Sequence, residues 1–118
     1  MNELPKELTP ELLGLVLGEE LLSSQNLSLL NNDLTYCTKD MCINSINTDT
    51  LTRLMKEFCN ENNYVIRTEM HYKNSINVAV LKFYDTGVWV EPFNTMFQTE
   101  FEAVLKATDW VIKEKGLK

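Results

Sequence analysis

The chain has 118 residues, enough for one hydrophobic core and too few for two ordinary domains. Apolar residues make up 44% and charged residues 24%, with a net charge of −6, which is the composition of a globular domain. No run of about 18 apolar residues is present to cross a membrane, and Lys and Arg are scattered rather than clustered, which argues against direct binding to DNA or RNA.

The first residues, MNELPKELTPELL, carry acids and a proline where a secretion signal needs basic residues and then a long apolar run. The expected location is therefore the cytoplasm. Residues 1–8 read as a flexible leader. Residues 9–22 read as an N-terminal helix, with Thr9 as N-cap, Pro10 at the first helical position and Glu11 behind it. Leu12, Leu13, Leu15, Val16, Leu17, Leu21 and Leu22 make this helix apolar on more than one face. It must pack on the domain or on a second chain, and Leu13 and Leu17 are its candidate contact residues. Gly14 and Gly18 weaken it by about 1 kcal/mol each relative to Ala and permit close approach of another backbone.

Residues 27–118 form the expected sheet-and-helix core, after a linker at 23–26. Residues 27–30 and 34–37 read as short strands around an Asn31-Asn32-Asp33 turn, with a third short strand over 38–43 after the Lys39-Asp40 turn. Asn47 then caps a helix, with Ile46 and Leu51 at hydrophobic-staple spacing. Leu51, Leu54, Met55 and Phe58 define its apolar face, bordered by Cys59, and Asn60, Asn62 and Asn63 end it. The main sheet follows as three strands, over 64–72, 76–84 and 88–91, with turns at Lys73-Asn74-Ser75 and Asp85-Thr86-Gly87. Pro92 stops the last strand or confines it to an edge. In the first of these strands Tyr64, Ile66, Thr68, Met70 and Tyr72 share one side, and the more polar Val65, Arg67, Glu69 and His71 share the other.

The closing stretch, 98–116, is the clearest helix. Thr99 and Glu102 make a capping box. Glu100 and Glu102 lie in the first turn and Lys113 and Lys115 in the last, which suits the helix dipole. Gly116 is placed to end it. Phe101, Val104, Leu105, Thr108 and Ile112 make one apolar face. A step of about 100° per residue puts Trp110 opposite that face, near Ala103 and Ala107, where it packs on another element or meets a partner. The fold class is thus α+β: a mainly antiparallel sheet, two amphipathic helices on one of its faces, and a short N-terminal helix.

Chemistry is sparse. His71 is the only histidine, and no nucleophile elbow or Gly-rich phosphate loop accompanies it. Glu69 and Glu91 are strand carboxylates that acid–base work would require to face each other. The three cysteines, Cys37, Cys42 and Cys59, are an odd count, against a disulfide framework. Cys37 and Cys42 have a spacing zinc sites use, without a second pair. No cofactor, metal or catalytic set is therefore expected. The Arg67–Glu69–His71 row reads as a binding surface. Trp89, Phe93 and Phe97 either finish the core or form an exposed anchor patch.

Two blocks, SINTDTLTRLMKEFCNENNY over 45–64 and TMFQTEFEAVLKATDWVIKEK over 95–115, especially its TEFEAVLKATDWVIKE over 99–114, resemble a group of small uncharacterised phage and prophage proteins of bacteria. The shared features are an S-I-N-type helix start and a closing T-E-x-E-A-x-x-K-A-x-x-W helix. The resemblance implies a phage-related origin and a compact α+β domain, and it supplies no substrate, catalytic residue or cofactor. The expectation is a non-enzymatic module that binds a host or phage protein, such as an inhibitor of an anti-phage nuclease. Its candidate partner-binding residues are Leu13, Leu17, Arg67, Glu69, His71, Trp89 and Trp110. The alternatives are a self-assembling accessory protein, dimerising through the Leu-rich helix, and a small ligand-binding domain or enzyme on the polar sheet face.

Overall fold

Alternating and helical apolar patterns along the chain become three helices and two antiparallel sheets. The computed structural model describes residues 4–22, 27–72, 75–84, 87–92, 97 and 99–116, and of these 71, 72, 79, 81–84 and 87–92 by backbone alone. In chain order the elements are α1 (Pro10–Leu17), β1 (Ser28–Leu30), β2 (Asp33–Cys37), β3 (Ile43–Asn47), α2 (Thr48–Glu61), β4 (Tyr64–Tyr72), β5 (Ser75–Tyr84), β6 (Gly87–Pro92) and α3 (Glu100–Lys115). The strands pair in order β1-β2-β3 in one sheet and β4-β5-β6 in the other, all antiparallel. The expected α+β architecture is the observed one.

Helices α2 and α3 pack on each other and cover one face of the β4–β6 sheet, with α2 against β4 and α3 against β4 and β5. Tyr64, Ile66, Ile76, Val78 and Val80 point into this layer and are buried, as the alternation of β4 and β5 requires. The buried face of α2 is Thr48, Leu51, Thr52, Met55 and Cys59, rotated from the expected stripe, so that Leu54 and Phe58 are only half-buried. Helix α3 is buried more widely than a single stripe: Ala103, Ala107 and Val111 are as enclosed as Val104, Leu105 and Ile112. A helix wedged between a sheet and a second helix has little free surface.

Helix ends follow local chemistry. Thr9 Oγ1 accepts from the Leu12 amide at 3.2 Å, Asn47 Oδ1 from the Asp49 amide at 2.8 Å, and Thr99 Oγ1 from the Glu102 amide at 3.2 Å. Gly116 ends α3 at φ 66°. Asn63, at φ 71°, turns the chain after α2, and the Asn62 side chain donates to the Phe58 carbonyl at 2.9 Å.

Several boundaries correct the sequence reading. Helix α1 stops at Leu17 rather than continuing to Leu22, because Gly18 takes a left-handed φ of 71° and its amide returns to the Gly14 carbonyl. Leu21 instead bridges Thr38, which continues β2. Residues 39–41 are the turn, and the third short strand begins only at Ile43. The segment after residue 3 is not a loose leader: Leu8 is buried, Leu4 packs on the core, and Glu7 pairs with Lys106 of α3 at 3.4 Å. Strand β6 includes Pro92, opposite Ala79, on a sheet edge. The expected linker 23–26 and the turn residues 73–74 and 85–86 lie outside the described residues.

Candidate interaction surface

Among the described side chains, Leu13, Leu17 and Trp110 do not share a surface with Arg67 and Glu69. Leu13 is fully buried in the core and offers nothing to a partner of the folded chain. Leu17 is half-buried and packs against the same core. Trp110 is engaged within the chain, its ring edge-on to Tyr64 with centroids 5.9 Å apart and planes at 84°. One packing partner is thus at the start of β4. Arg67 and Glu69 are exposed on the face of β4 turned away from the helices. His71 lies at the bulged end of β4, and Trp89 stands opposite Lys82 in β6; their side chains are outside the described residues. Phe97 is half-buried and bridges Ile76, while Phe93 lies outside the described residues. Glu69 pairs with Asn77 and Glu91 with Val80, three residues apart on β5. That odd offset sets the two glutamates at positions of opposite parity, so they do not form a facing pair.

The cysteines are also separated. Cys37 pairs with Ile43, whereas Cys42 stands opposite Thr38, again at opposite parity on the β2–β3 hairpin. Cys59 is buried in α2. Among the described residues no group of three or more His, Cys, Asp or Glu is placed to hold a metal ion.

A different surface emerges at the β2–β3 hairpin. Its tip is a three-residue loop, Lys39-Asp40-Met41, closed by the Thr38 amide donating to the Cys42 carbonyl at 2.9 Å and the Met41 amide donating to the Thr38 carbonyl at 2.9 Å. The Cys42 amide donates to Thr38 Oγ1 at 3.3 Å. Met41 holds φ 69°, a left-handed conformation that favours glycine. The tip is tied back to the body: the Lys39 amide donates to the Glu20 carbonyl at 2.9 Å and the Leu22 amide to the Cys37 carbonyl at 3.0 Å. On this anchored hairpin Met41 is 75% and Ile43 76% exposed. Leu30, 68% exposed, stands on the same sheet.

Beside the tip lie two adjoining grooves. One, of about 690 Å³, runs along α1 between Gly14, Leu15, Leu21 and Leu22. The other, of about 530 Å³, is lined by Glu19, Glu20, Thr38, Lys39, Asp40, Cys42 and Asn44. Lys39 is held by Glu20 at 3.1 Å, which leaves the carboxylates of Glu19 and Asp40 to set the sign of the field there. Tyr36 feels it: burial, and then the nearby charge of Glu19, raise its phenol above the ordinary value. The arrangement suits contact with an apolar, positively charged surface. Sequence reading passed over Met41, Ile43, Glu19, Glu20 and Asp40. The available signal was a short strand, Ile43–Asn47, with no charge and no proline to protect it.

No protein-family model matches the chain, and neither a curated protein nor a solved structure does. Among the described residues no helix is long and apolar enough to cross a membrane.

Proposed function

We propose that this chain is a non-enzymatic protein-binding module of phage or prophage origin, acting in the bacterial cytoplasm on a host or phage protein. The observation that carries the reading is the pair Met41 and Ile43, each about three-quarters exposed on a hairpin fixed by backbone hydrogen bonds. Large apolar side chains held out on an ordered element lose little entropy when a partner covers them, and anchors of this kind dominate interfaces. The origin rests on the resemblance of the 45–64 and 99–114 blocks to phage and prophage proteins. Inhibition of an anti-phage nuclease is one specific form, for which the net charge of −6 is suitable, since nucleases present basic clefts.

The test is an affinity capture of the tagged chain from host and infected-cell lysates at near-physiological salt. A stoichiometric partner is expected, and the double variant Met41→Lys/Ile43→Lys is expected to lose it while keeping its circular dichroism spectrum. Retention of nothing by the folded chain, or undiminished retention by the double variant, overturns the reading.

A further inference from the structure

Among the described residues the two sheets present four outer edges, and three of them are blunted. Strand β1 has only three residues. Strand β4 carries a register break between Met70 and Tyr72 and the exposed charges of Arg67 and Glu69. Strand β6 ends in Pro92. Short length, bulges, charge and proline are the devices that keep a strand from recruiting another. Strand β3, longer than β1, has no bulge, charge or proline: its five residues are Ile-Asn-Ser-Ile-Asn, and its register with β2 runs unbroken from Asp33↔Asn47 to Cys37↔Ile43. Among the described residues nothing pairs with its outer side.

The hairpin closure fixes which groups that side presents. The Cys42 carbonyl points at β2, where it accepts from the Thr38 amide. Alternation along an antiparallel strand then turns Asn44 and Ile46 toward β2, and Ile43 and Ser45 away from it. The amides and carbonyls of Ile43 and Ser45 are therefore an unused ladder.

Charge decides what fills it. Asp40 stands at one end of β3 and Asp33 and Asp49 at the other, all exposed. The bases that flank it in sequence are already engaged, Lys39 with Glu20 at 3.1 Å and Arg53 with Glu57 at 2.9 Å. A second copy pairing antiparallel would bring the Asp40 end of one chain onto the Asp33 and Asp49 end of the other, between two molecules of net charge −6. A strand with basic ends meets the opposite field. Resting on the protein-binding reading above, we infer that the free edge of β3 takes an extended segment of another protein as a fourth strand. That segment sets an apolar side chain against Ile43 and places Lys or Arg at its ends, one of them toward the groove of Glu19 and Asp40.

The test uses the full chain and a display library of random twelve-residue peptides at about 0.15 M salt. Enriched peptides are expected to alternate β-branched or aromatic residues between basic ends. A synthetic peptide of the enriched consensus should bind at least about tenfold more weakly to Ser45→Pro, which removes an outward N–H but no bond to β2. Ser45→Ala should bind as the wild type does, and rising salt should weaken binding. If Ser45→Pro does not fold, Ile43→Lys, at an exposed position, serves in its place. Enriched peptides indifferent to both edge variants but lost with Leu15→Lys would overturn the edge and leave a binding module that uses the α1 groove. Dimerisation in sedimentation, abolished by Ser45→Pro, would overturn the choice of occupant in favour of a second copy. No enrichment at all overturns the edge proposal, whereas the reading beneath it stands or falls separately on the lysate capture.

Discussion

Cys59 is fully buried on α2, with its Sγ 3.6 Å from Thr108 Oγ1 on α3. Burial pushes its thiol up to about 11 from an ordinary 9.0, and the Thr108 contact opposes this more weakly. Thr108 itself is satisfied, donating to the Val104 carbonyl at 2.7 Å. The native chain thus holds the neutral thiol, and the unfolded chain releases the proton more readily. A raised acid of this kind contributes stability that is complete below pH 9.0 and is lost as pH rises through about 11. The expected result is that wild-type stability falls relative to Cys59→Ala between those limits. Urea midpoints of both proteins at pH 8, 9, 10 and 11 measure it, and parallel curves would show that Cys59 ionises as easily in the fold as out of it. Cys42, being exposed, should react with a thiol reagent in the native protein, whereas Cys59 should wait for unfolding. Cys59 beside an apolar stripe was readable as buried from its spacing alone. That Cys37 and Cys42 fall at opposite parity was not, because it depends on where the hairpin turns.

The helix ends show which local signals survive folding. Helix α3 was legible from both caps because Thr99 and Gly116 each have one low-energy use at a helix end. Helix α1 was legible at Thr9 and Pro10 but not at Gly18, since Leu21 and Leu22 continue the apolar run and mask the stop. The strand boundary at Ile43 was missed for a related reason. Met41 takes a left-handed φ that its side chain does not advertise, so the turn looked like strand. Gly14 gives an element-scale prediction in which two effects oppose. Helix propensity alone favours Gly14→Ala by about 1 kcal/mol. A Cβ at that position would lie 2.7 Å from the Glu19 carbonyl oxygen, a backbone atom that the αL turn at Gly18 brings back over the helix. Backbone cannot yield as a side-chain tip does, so the clash wins and Gly14→Ala is expected to destabilise, by roughly 1–3 kcal/mol. A raised thermal midpoint for this variant would show that the 18–20 segment moves aside.

At the scale of the whole molecule, separate elements are joined by contacts that no local pattern announces. The helix-covered face of β4 was implicit in the alternation of Tyr64 and Ile66 with Val65 and Arg67. The acidic groove between the α1 exit and the β2–β3 hairpin depends on the bridge of Leu21 to Thr38, where neither residue carries a pairing signal. The same holds for Glu100, which first appears as a favourable charge in the first turn of α3. In the fold its Oε2 accepts from Thr68 Oγ1 of β4 at 2.6 Å and from Lys56 Nζ of α2 at 3.1 Å, so one carboxylate ties three elements together. The Thr68 hydrogen bond first, and then the hydrogen bond and charge of Lys56, hold its carboxyl below the ordinary value of 4.5, against the opposing effect of burial. A lowered carboxyl stabilises the fold above its unfolded value and loses that contribution as pH falls through the folded one. Glu100→Gln keeps the shape and can still accept from both donors, but it cannot titrate. The wild type should therefore be the more stable at pH 7, and its lead should shrink as pH drops below about 4.5. Thr68→Val and Lys56→Met should each remove part of that pH-dependent difference, since Thr68 supplies the first cause and Lys56 the next two that lower the carboxyl. Urea midpoints at pH 7, 5, 4 and 3 read all four proteins on one scale. A lead that stays constant with pH would mean that Glu100 acts through shape alone, and that the junction of α2, α3 and β4 is held by its apolar packing without the shared carboxylate.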